Sequence, residues 1–113
     1  MANVELTAAD GFKLGAYVAQ PKGEAKGGVV VIQEIFGVNH HIRGVADGYA
    51  AAGYVAIAPQ IFDRVERNVE LGYTEQPDFD KGLRIAFHDL KIADTLLDLQ
   101  AAVDYAAKSG PVG

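Results

Sequence analysis

The chain has 113 residues, half of them hydrophobic, which suits one domain with a buried core. Its net charge of -5 at pH 7 argues against nucleic-acid binding, and no apolar run is long enough to span a membrane. It contains no cysteine, which excludes disulfides, thiolate metal ligands and a cysteine nucleophile within these residues. The N-terminal stretch MANVELTAADG lacks the pattern of a signal peptide, so the expected location is cytoplasmic.

The first elements in chain order are β-strands. Residues 3–20 predict a hairpin, because apolar and polar residues alternate on both sides of Asp10-Gly11, a strong turn signal. The β-branched run in residues 28–34 predicts a strand buried on both faces. Residues 54–59 predict a second buried strand, which ends at a proline.

A helix is expected between these two buried strands. It should begin after Asn39, a favourable N-cap, and end near Gly53. Its apolar face is predicted to consist of Ile42, Val45, Ala46 and Tyr49. A strand, a helix and a strand over about thirty residues form a βαβ unit, so the two strands should be parallel with a right-handed crossover.

The remaining chain divides into an excursion and a helix. Residues 60–82 are charged and predict a long irregular connection, a type of segment that often carries function. A helix is predicted over 88–108, with an i,i+4 pair between Asp104 and Lys108 on its polar side. Its apolar stripe is predicted to be Ile92, Leu96, Leu99, Val103 and Ala106. The final Gly-Pro-Val-Gly is typical of a connection into a further buried strand.

Glu34 is the leading candidate for chemistry. It stands at the carboxyl end of a parallel strand, where open α/β sheets place their sites. A buried carboxylate is costly unless it is paired, protonated or used, but a surface carboxylate bonded to backbone amides is an equally good interpretation. The turn after it holds Ile35 and Phe36. Its N–H groups can point at a developing oxyanion, although packing of both side chains on the helix is the simpler interpretation.

Other polar residues give weaker signals. His40 and His41 diverge by about 100° on a helix and His88 lacks ligand spacing, so no metal site is expected. Asp78 and Asp80 suit either an acid/base pair or, more commonly, a solvated loop. Four basic residues lie in or beside the excursion: Arg64, Arg67, Lys81 and Arg84. One of them could meet a substrate carboxylate or pair with Glu34, although a surface position is the more common interpretation for each.

Serine chemistry and nucleotide binding find little support. Ser109 is the only serine and lies where the last helix ends, not in a nucleophile turn. Glycine-rich phosphate motifs are absent, so no cofactor is expected.

Several segments, taken in order, resemble the dienelactone hydrolase family of α/β-hydrolases. They are VVVIQEIFGVNHHIR, AAAGY, VAIAPQIFDR and DLQAAVDYA before GPVG, and together they extend over essentially the whole chain. The resemblance implies an α/β class: the N-terminal portion of an α/β-hydrolase fold, with a hairpin followed by parallel βαβ strands and packed helices, and with the sheet incomplete.

The resemblance also implies a reaction. The family hydrolyses small esters or lactones through an acyl-enzyme, with a Cys-His-Asp arrangement. Glu34 matches the glutamate that helps control nucleophile ionisation, Ile35 the residue whose N–H contributes to the oxyanion hole, and Phe36 the phenylalanine that lines the substrate pocket. Gln60 departs from the usual aspartate, with a local effect expected at the strand end. Arg84 lies near the family's substrate-binding arginines without aligning cleanly.

The family's G-x-C-x-G turn, aspartate and histidine have no counterpart in these residues. Residues 1–113 are therefore expected to be a partial domain, a fragment truncated before the nucleophile and inactive alone. We expect it to fold poorly, to self-associate, or to be completed by a C-terminal half or second chain that covers the edge of the 28–34 strand.

Two other interpretations remain open. The first is a non-catalytic half-fold that uses the exposed sheet edge for binding or assembly. The second is a small flavodoxin-like ligand-binding domain, which fits less well because the phosphate loop is lacking.

Overall fold

A four-stranded mixed sheet organises the chain. The computed structural model describes residues 2–113, and its strands lie in the order β1-β2-β4-β3. Strands β1/β2 and β2/β4 are antiparallel and β3/β4 is parallel. The strands are β1 (Val4–Thr7), β2 (Lys13–Ala19), β3 (Gly28–Val30) and β4 (Val55–Pro59).

The predicted hairpin is confirmed. β1 and β2 pair with Val4 opposite Ala16, and the turn contains Gly11 at a φ of 90°. The Asp10 carboxylate accepts a hydrogen bond from the Phe12 N–H at 3.3 Å, which closes the turn locally. The second predicted strand is also confirmed, because every residue of β4 is buried.

The βαβ unit is confirmed, with helix α1 (His40–Ala51) between its strands. Asn39 caps α1 by accepting a hydrogen bond from the Ile42 N–H at 3.2 Å. Ile42 is buried together with Ala46 and Ala50, whereas Tyr49 is 45% exposed. The placement of Tyr49 on the buried face is therefore wrong: small alanines at i,i+4 spacing pack on the sheet, and the large ring lies at the rim.

The strand predicted over residues 28–34 is shorter than expected. Ladder pairing covers Gly28–Val30, and the Val31 N–H adds one further bond to the Ile57 carbonyl at 2.8 Å. Ile32 is 58% exposed and Glu34 is exposed, so burial on both faces is wrong. The reason is that β3 is an edge strand, and within residues 2–113 just the final residues flank its outer side.

Those last residues pair with β3 as the start of a parallel strand. Val112 forms a parallel bridge with Gly28, and the Gly28 N–H donates to the Pro111 carbonyl at 2.9 Å. The Val30 N–H donates to the Gly113 carbonyl at 2.9 Å. In a parallel ladder the Val30 carbonyl and the Ile32 N–H come next on this edge.

The excursion is more regular than predicted. A 3₁₀ helix occupies Ile61–Arg64, and helix α2 spans Gln76–Arg84 with Pro77 in its first turn, where proline is tolerated. A π-helical turn, Ile85–Asp89, follows. The excursion has its own apolar cluster: Ile61, Phe62, Val69, Leu71 and Ile85.

Helix α3 (Ile92–Ala106) confirms most of the predicted helix, but residues 88–91 do not belong to it because a π turn and an extended segment precede it. Its buried residues, Asp98, Ala102 and Ala106, are spaced by four, and the two alanines pack on the sheet face opposite α1. Ile92 is 80% exposed and Leu96 is 59% exposed, so the predicted stripe largely faces outward. Small alanines allow close packing on the sheet, while no other element of residues 2–113 covers the larger apolar side chains.

The polar side of α3 also differs from the prediction. Asp104 accepts a hydrogen bond from Gln100 Nε2 at 2.9 Å, and the Lys108 ammonium lies 5.0 Å from the centre of the Tyr105 ring. Gln100 and Tyr105 both lie on α3, and these contacts replace the predicted Asp104–Lys108 pair. No helix within the described residues has the length and apolarity needed to cross a membrane.

Candidate functional site

The turn between β3 and α1 is rigidly held. The Gly37 N–H donates to the Glu34 carbonyl at 3.3 Å, and the Phe36 carbonyl accepts from the Leu71 N–H at 2.8 Å. Gly37 has a φ of 81°, and a Cβ there would collide with the Val69 carbonyl oxygen. Residues 69–71 of the excursion therefore pack against the turn and fix its backbone.

The two backbone polar groups of Ile35 differ in their surroundings: the carbonyl packs against helix α2, whereas the N–H lacks a partner among residues 2–113. Its carbonyl lies so close to Gly82 of α2 that a Cβ at Gly82 would collide with the oxygen. Its N–H has no hydrogen-bond acceptor among residues 2–113. A fixed, unbonded N–H at the carboxyl end of a parallel strand is suited to binding a developing negative charge.

Glu34 lies just beyond the strand end and is exposed. None of the four basic residues in or beside the excursion pairs with it, because each contacts another carboxylate. These pairs are Arg64 with Asp98 and Asp10, Arg67 with Asp63, Lys81 with Glu66, and Arg84 with Asp89.

Phe36 belongs to an aromatic cluster. Its ring centre lies 4.4 Å from that of Tyr73, edge to face, and 6.4 Å from that of Phe79. Glu34 and Ile35 border an adjacent cavity that Phe36 does not line. The expected role of Phe36 in lining a substrate pocket stays a prediction.

The cavity has a volume of about 390 Å³, within the usual range for small-molecule sites. The β3–α1 turn, the 3₁₀ helix, the π turn and α3 form its walls. The lining residues are Gln33, Glu34, Ile35, Ile61, Phe62, Ala86, Leu90, Ile92, Thr95, Leu96 and Leu99. Sequence reasoning missed this cavity, since it depends on a π turn and a helix distant from the motif.

Gln33 is a further site residue that sequence reasoning did not single out, although it directly precedes Glu34. Its side chain is buried, and its Nε2 donates to the Glu34 carbonyl at 2.9 Å. Its Oε1 is buried with no hydrogen-bond donor in the described part of the chain. The side chain thus orients the peptide group between Glu34 and Ile35.

A cluster of charged side chains around the buried carboxylate of Asp98 joins two walls of the cavity. Arg64, at the end of the 3₁₀ helix, donates from Nε and Nη2 to the two carboxylate oxygens of fully buried Asp98 on α3, each at 2.9 Å. The same guanidinium donates to Asp10 in the hairpin turn at 2.8 and 3.0 Å. Its hydrogen bonds hold the pKa of Asp10 at about 2, and both carboxylates raise the pKa of Arg64.

Gln60 takes part in a second polar network at the end of β4. Its Nε2 lies 3.1 Å from both carboxylate oxygens of Asp63 and 2.9 Å from Asn68 Oδ1. Asp63 also accepts from the Gly15 N–H at 2.8 Å, which links the excursion to β2.

The remaining candidates contact neighbours in their own segments. Asp78 accepts from the Gly72 N–H and Asp80 from Gln76, so each carboxylate has a local partner. His88 Nδ1 lies 3.0 Å from Asp89, and this contact, followed by Arg84, lowers the Asp89 pKa.

Comparison with known proteins places this geometry in a class. A crystal structure from Klebsiella pneumoniae, described as a "Putative Dienelactone Hydrolase", superimposes with a TM-score of 0.71 at 34% identity and covers 95% of this chain and 44% of its own. The fold is therefore an α/β fold of the α/β-hydrolase class.

The sequence profile of the dienelactone hydrolase family matches residues 14–112. A Synechocystis protein named "Putative carboxymethylenebutenolidase" is 43% identical over 96 residues, which are 84% of this chain and 38% of that protein. Carboxymethylenebutenolidase 1 of Cupriavidus pinatubonensis is 31% identical over 103 residues, which are 91% of this chain and 44% of that protein. The chain belongs to the dienelactone hydrolase family, and it spans less than half the length of these relatives.

Proposed function

We propose that this chain supplies the oxyanion side of a site that hydrolyses small esters or lactones. The observation that carries the proposal is the unbonded Ile35 N–H, held at the carboxyl end of β3 beside an apolar cavity. An ester carbonyl placed there would receive a hydrogen bond that strengthens as its oxygen becomes negative. Glu34, which lines the same cavity, stands where the family resemblance puts the group that controls the nucleophile.

The nucleophile, the acid and the histidine would come from a C-terminal half or a second chain. The support is the pairing of Val112 and Gly113 with β3, which aligns a following segment with the Val30 carbonyl and Ile32 N–H. A strand continued along this edge would reach the level of Glu34. On this proposal residues 1–113 are a partial domain and do not turn over esters alone; the expected cytoplasmic location stays a prediction.

A chimera tests this function. Residues 1–113 replace the matching segment of Cupriavidus carboxymethylenebutenolidase 1, and hydrolysis of 4-nitrophenyl acetate is measured, with the parent enzyme as positive control. We expect turnover by the chimera, none by residues 1–113 alone, and a lower kcat for the Glu34→Gln chimera. A folded chimera without activity would contradict the proposal.

A non-catalytic assembly module is the second candidate. The exposed apolar side chains favour it: Ile32, just after β3, and Ile92 and Leu96 on α3. It predicts that residues 1–113 form a defined oligomer that Ile32→Lys dissociates. Sedimentation velocity at several concentrations would detect this change.

A further inference from the structure

The peptide group between Glu34 and Ile35 contains both the Glu34 carbonyl and the Ile35 N–H. This peptide bond is planar and trans, so the two groups point in opposite directions. Any contact that fixes the carbonyl therefore also fixes the direction of the N–H. A hydrogen bond accepted by the carbonyl also polarises the peptide group, which makes its N–H a stronger donor.

Two hydrogen bonds fix the Glu34 carbonyl. Gln33 Nε2 donates to it at 2.9 Å, and the Gly37 N–H donates to it at 3.3 Å. The side-chain bond has the usual length of an N–H···O bond, whereas the bond from Gly37 is longer than that range. The Gln33 carboxamide is therefore the stronger restraint on this peptide group.

The Gln33 side chain is buried where an apolar one would be less costly. Val31 and Gln33 are buried, whereas Ile32 between them is 58% exposed, so the alternation of an extended segment directs Gln33 inward. Burial of an amide is unfavourable unless the amide forms hydrogen bonds. Its nitrogen faces the Glu34 carbonyl, since the amide oxygen cannot donate. A buried amide at this place indicates a role for the N–H that it donates.

From these contacts we propose that Gln33 is a positioning residue of the hydrolytic site. Its side-chain N–H holds the Glu34–Ile35 peptide in the orientation that presents the Ile35 N–H to the substrate carbonyl. This inference rests on the proposed function and names a residue on which that function depends. The effect falls on the transition state, because the Ile35 N–H binds an oxyanion more strongly than it binds an ester carbonyl.

The chimera tests this role through substitution of Gln33. Gln33→Met and Gln33→Leu remove the donor and nearly preserve the volume. For folded variants, checked by circular dichroism, we expect kcat for 4-nitrophenyl acetate to fall about tenfold and KM to change little. The loss is smaller than for removal of the Ile35 N–H itself, since Gly37 still binds the carbonyl.

Gln60→Met is the matched control. Gln60 is also a buried glutamine, and its amide contacts Asp63 and Asn68 at the end of β4 instead of the turn after β3. Its substitution removes buried hydrogen bonds without touching the Glu34–Ile35 peptide. The kcat of the folded Gln60→Met chimera should equal that of the unaltered chimera.

A double variant separates positioning from a general structural role. Ile35→Pro removes the N–H on which Gln33 acts, so adding Gln33→Met to it should lower kcat no further. Independent structural roles of the two residues would instead multiply the two losses.

The outcomes distinguish the inference from the proposed function. With an active chimera, the inference alone is overturned by an unchanged kcat in folded Gln33→Met, by an equal loss in Gln60→Met, or by multiplied losses in the double variant. An inactive unaltered chimera would refute the proposed function and, with it, the role of Gln33.

Discussion

Arg64→Met most directly tests the ion pair that joins the 3₁₀ helix to α3, two walls of the cavity. It removes two charge-assisted hydrogen bonds from Asp98, which is fully buried, and leaves that carboxylate without a partner. Breaking a buried ion pair in this way typically costs about 3–5 kcal/mol. Since domains are stable by about 5–15 kcal/mol, the variant should be close to unfolding. The pair with Asp10 lies at the surface and should contribute little of this loss.

Urea unfolding followed by circular dichroism, at several protein concentrations, measures the change. The double variant Arg64→Met/Asp98→Leu removes both charges and should recover most of the lost free energy, because an apolar pair of similar volume carries no desolvation penalty. A loss below about 1 kcal/mol for Arg64→Met would show that the buried pair does not hold α3 and the 3₁₀ helix together. So would a double variant whose loss equals the sum of the two single losses.

Three further changes have defined outcomes. The pKa of Asp10 is about 2, below its ordinary value of 3.8, so the stabilisation that this carboxylate provides is present above pH 3.8 and is lost as the pH falls toward 2. Asp10→Asn should flatten this part of the profile of stability against pH. An identical profile would count against the Asp10–Arg64 pair. Asn39→Ala removes the α1 cap and should lower the free energy of unfolding by about 1 kcal/mol in urea titrations, whereas no change would show that the cap is dispensable. Gly82→Ala should push against the Ile35 carbonyl and lower both stability and the kcat of the chimera. Gly44→Ala, with open space at its Cβ, is the matched control, and equal effects of the two would contradict this.

Local signals in the sequence were sufficient for the main elements. The Asp10-Gly11 turn, the Asn39 cap and the buried run of β4 each depend on nearby residues, so hairpin, helix and strand were predictable. The length of β3 was not, because burial of residues 31–34 depends on what lies across the sheet edge. The outward face of α3 has the same explanation: periodicity defines a stripe, but only packing decides which stripe is buried.

The site was predictable only in part. The position of Glu34 and Ile35 after a parallel strand follows from the βαβ pattern, and the family motif points to the same residues. The partners of Arg64 were not predictable, because Asp10 and Asp98 are 54 and 34 positions away in sequence. The apolar cavity required the same long-range packing, which no local pattern encodes.

Two substitutions at position 35 of the chimera test whether the Ile35 N–H stabilises the oxyanion. Ile35→Pro removes the N–H, while Ile35→Ala shortens the side chain and keeps the N–H. With folding of both variants checked by circular dichroism, we expect kcat for 4-nitrophenyl acetate to fall about 100-fold to 1,000-fold in the proline variant and little in the alanine variant. Equal kcat values for two folded variants would contradict it.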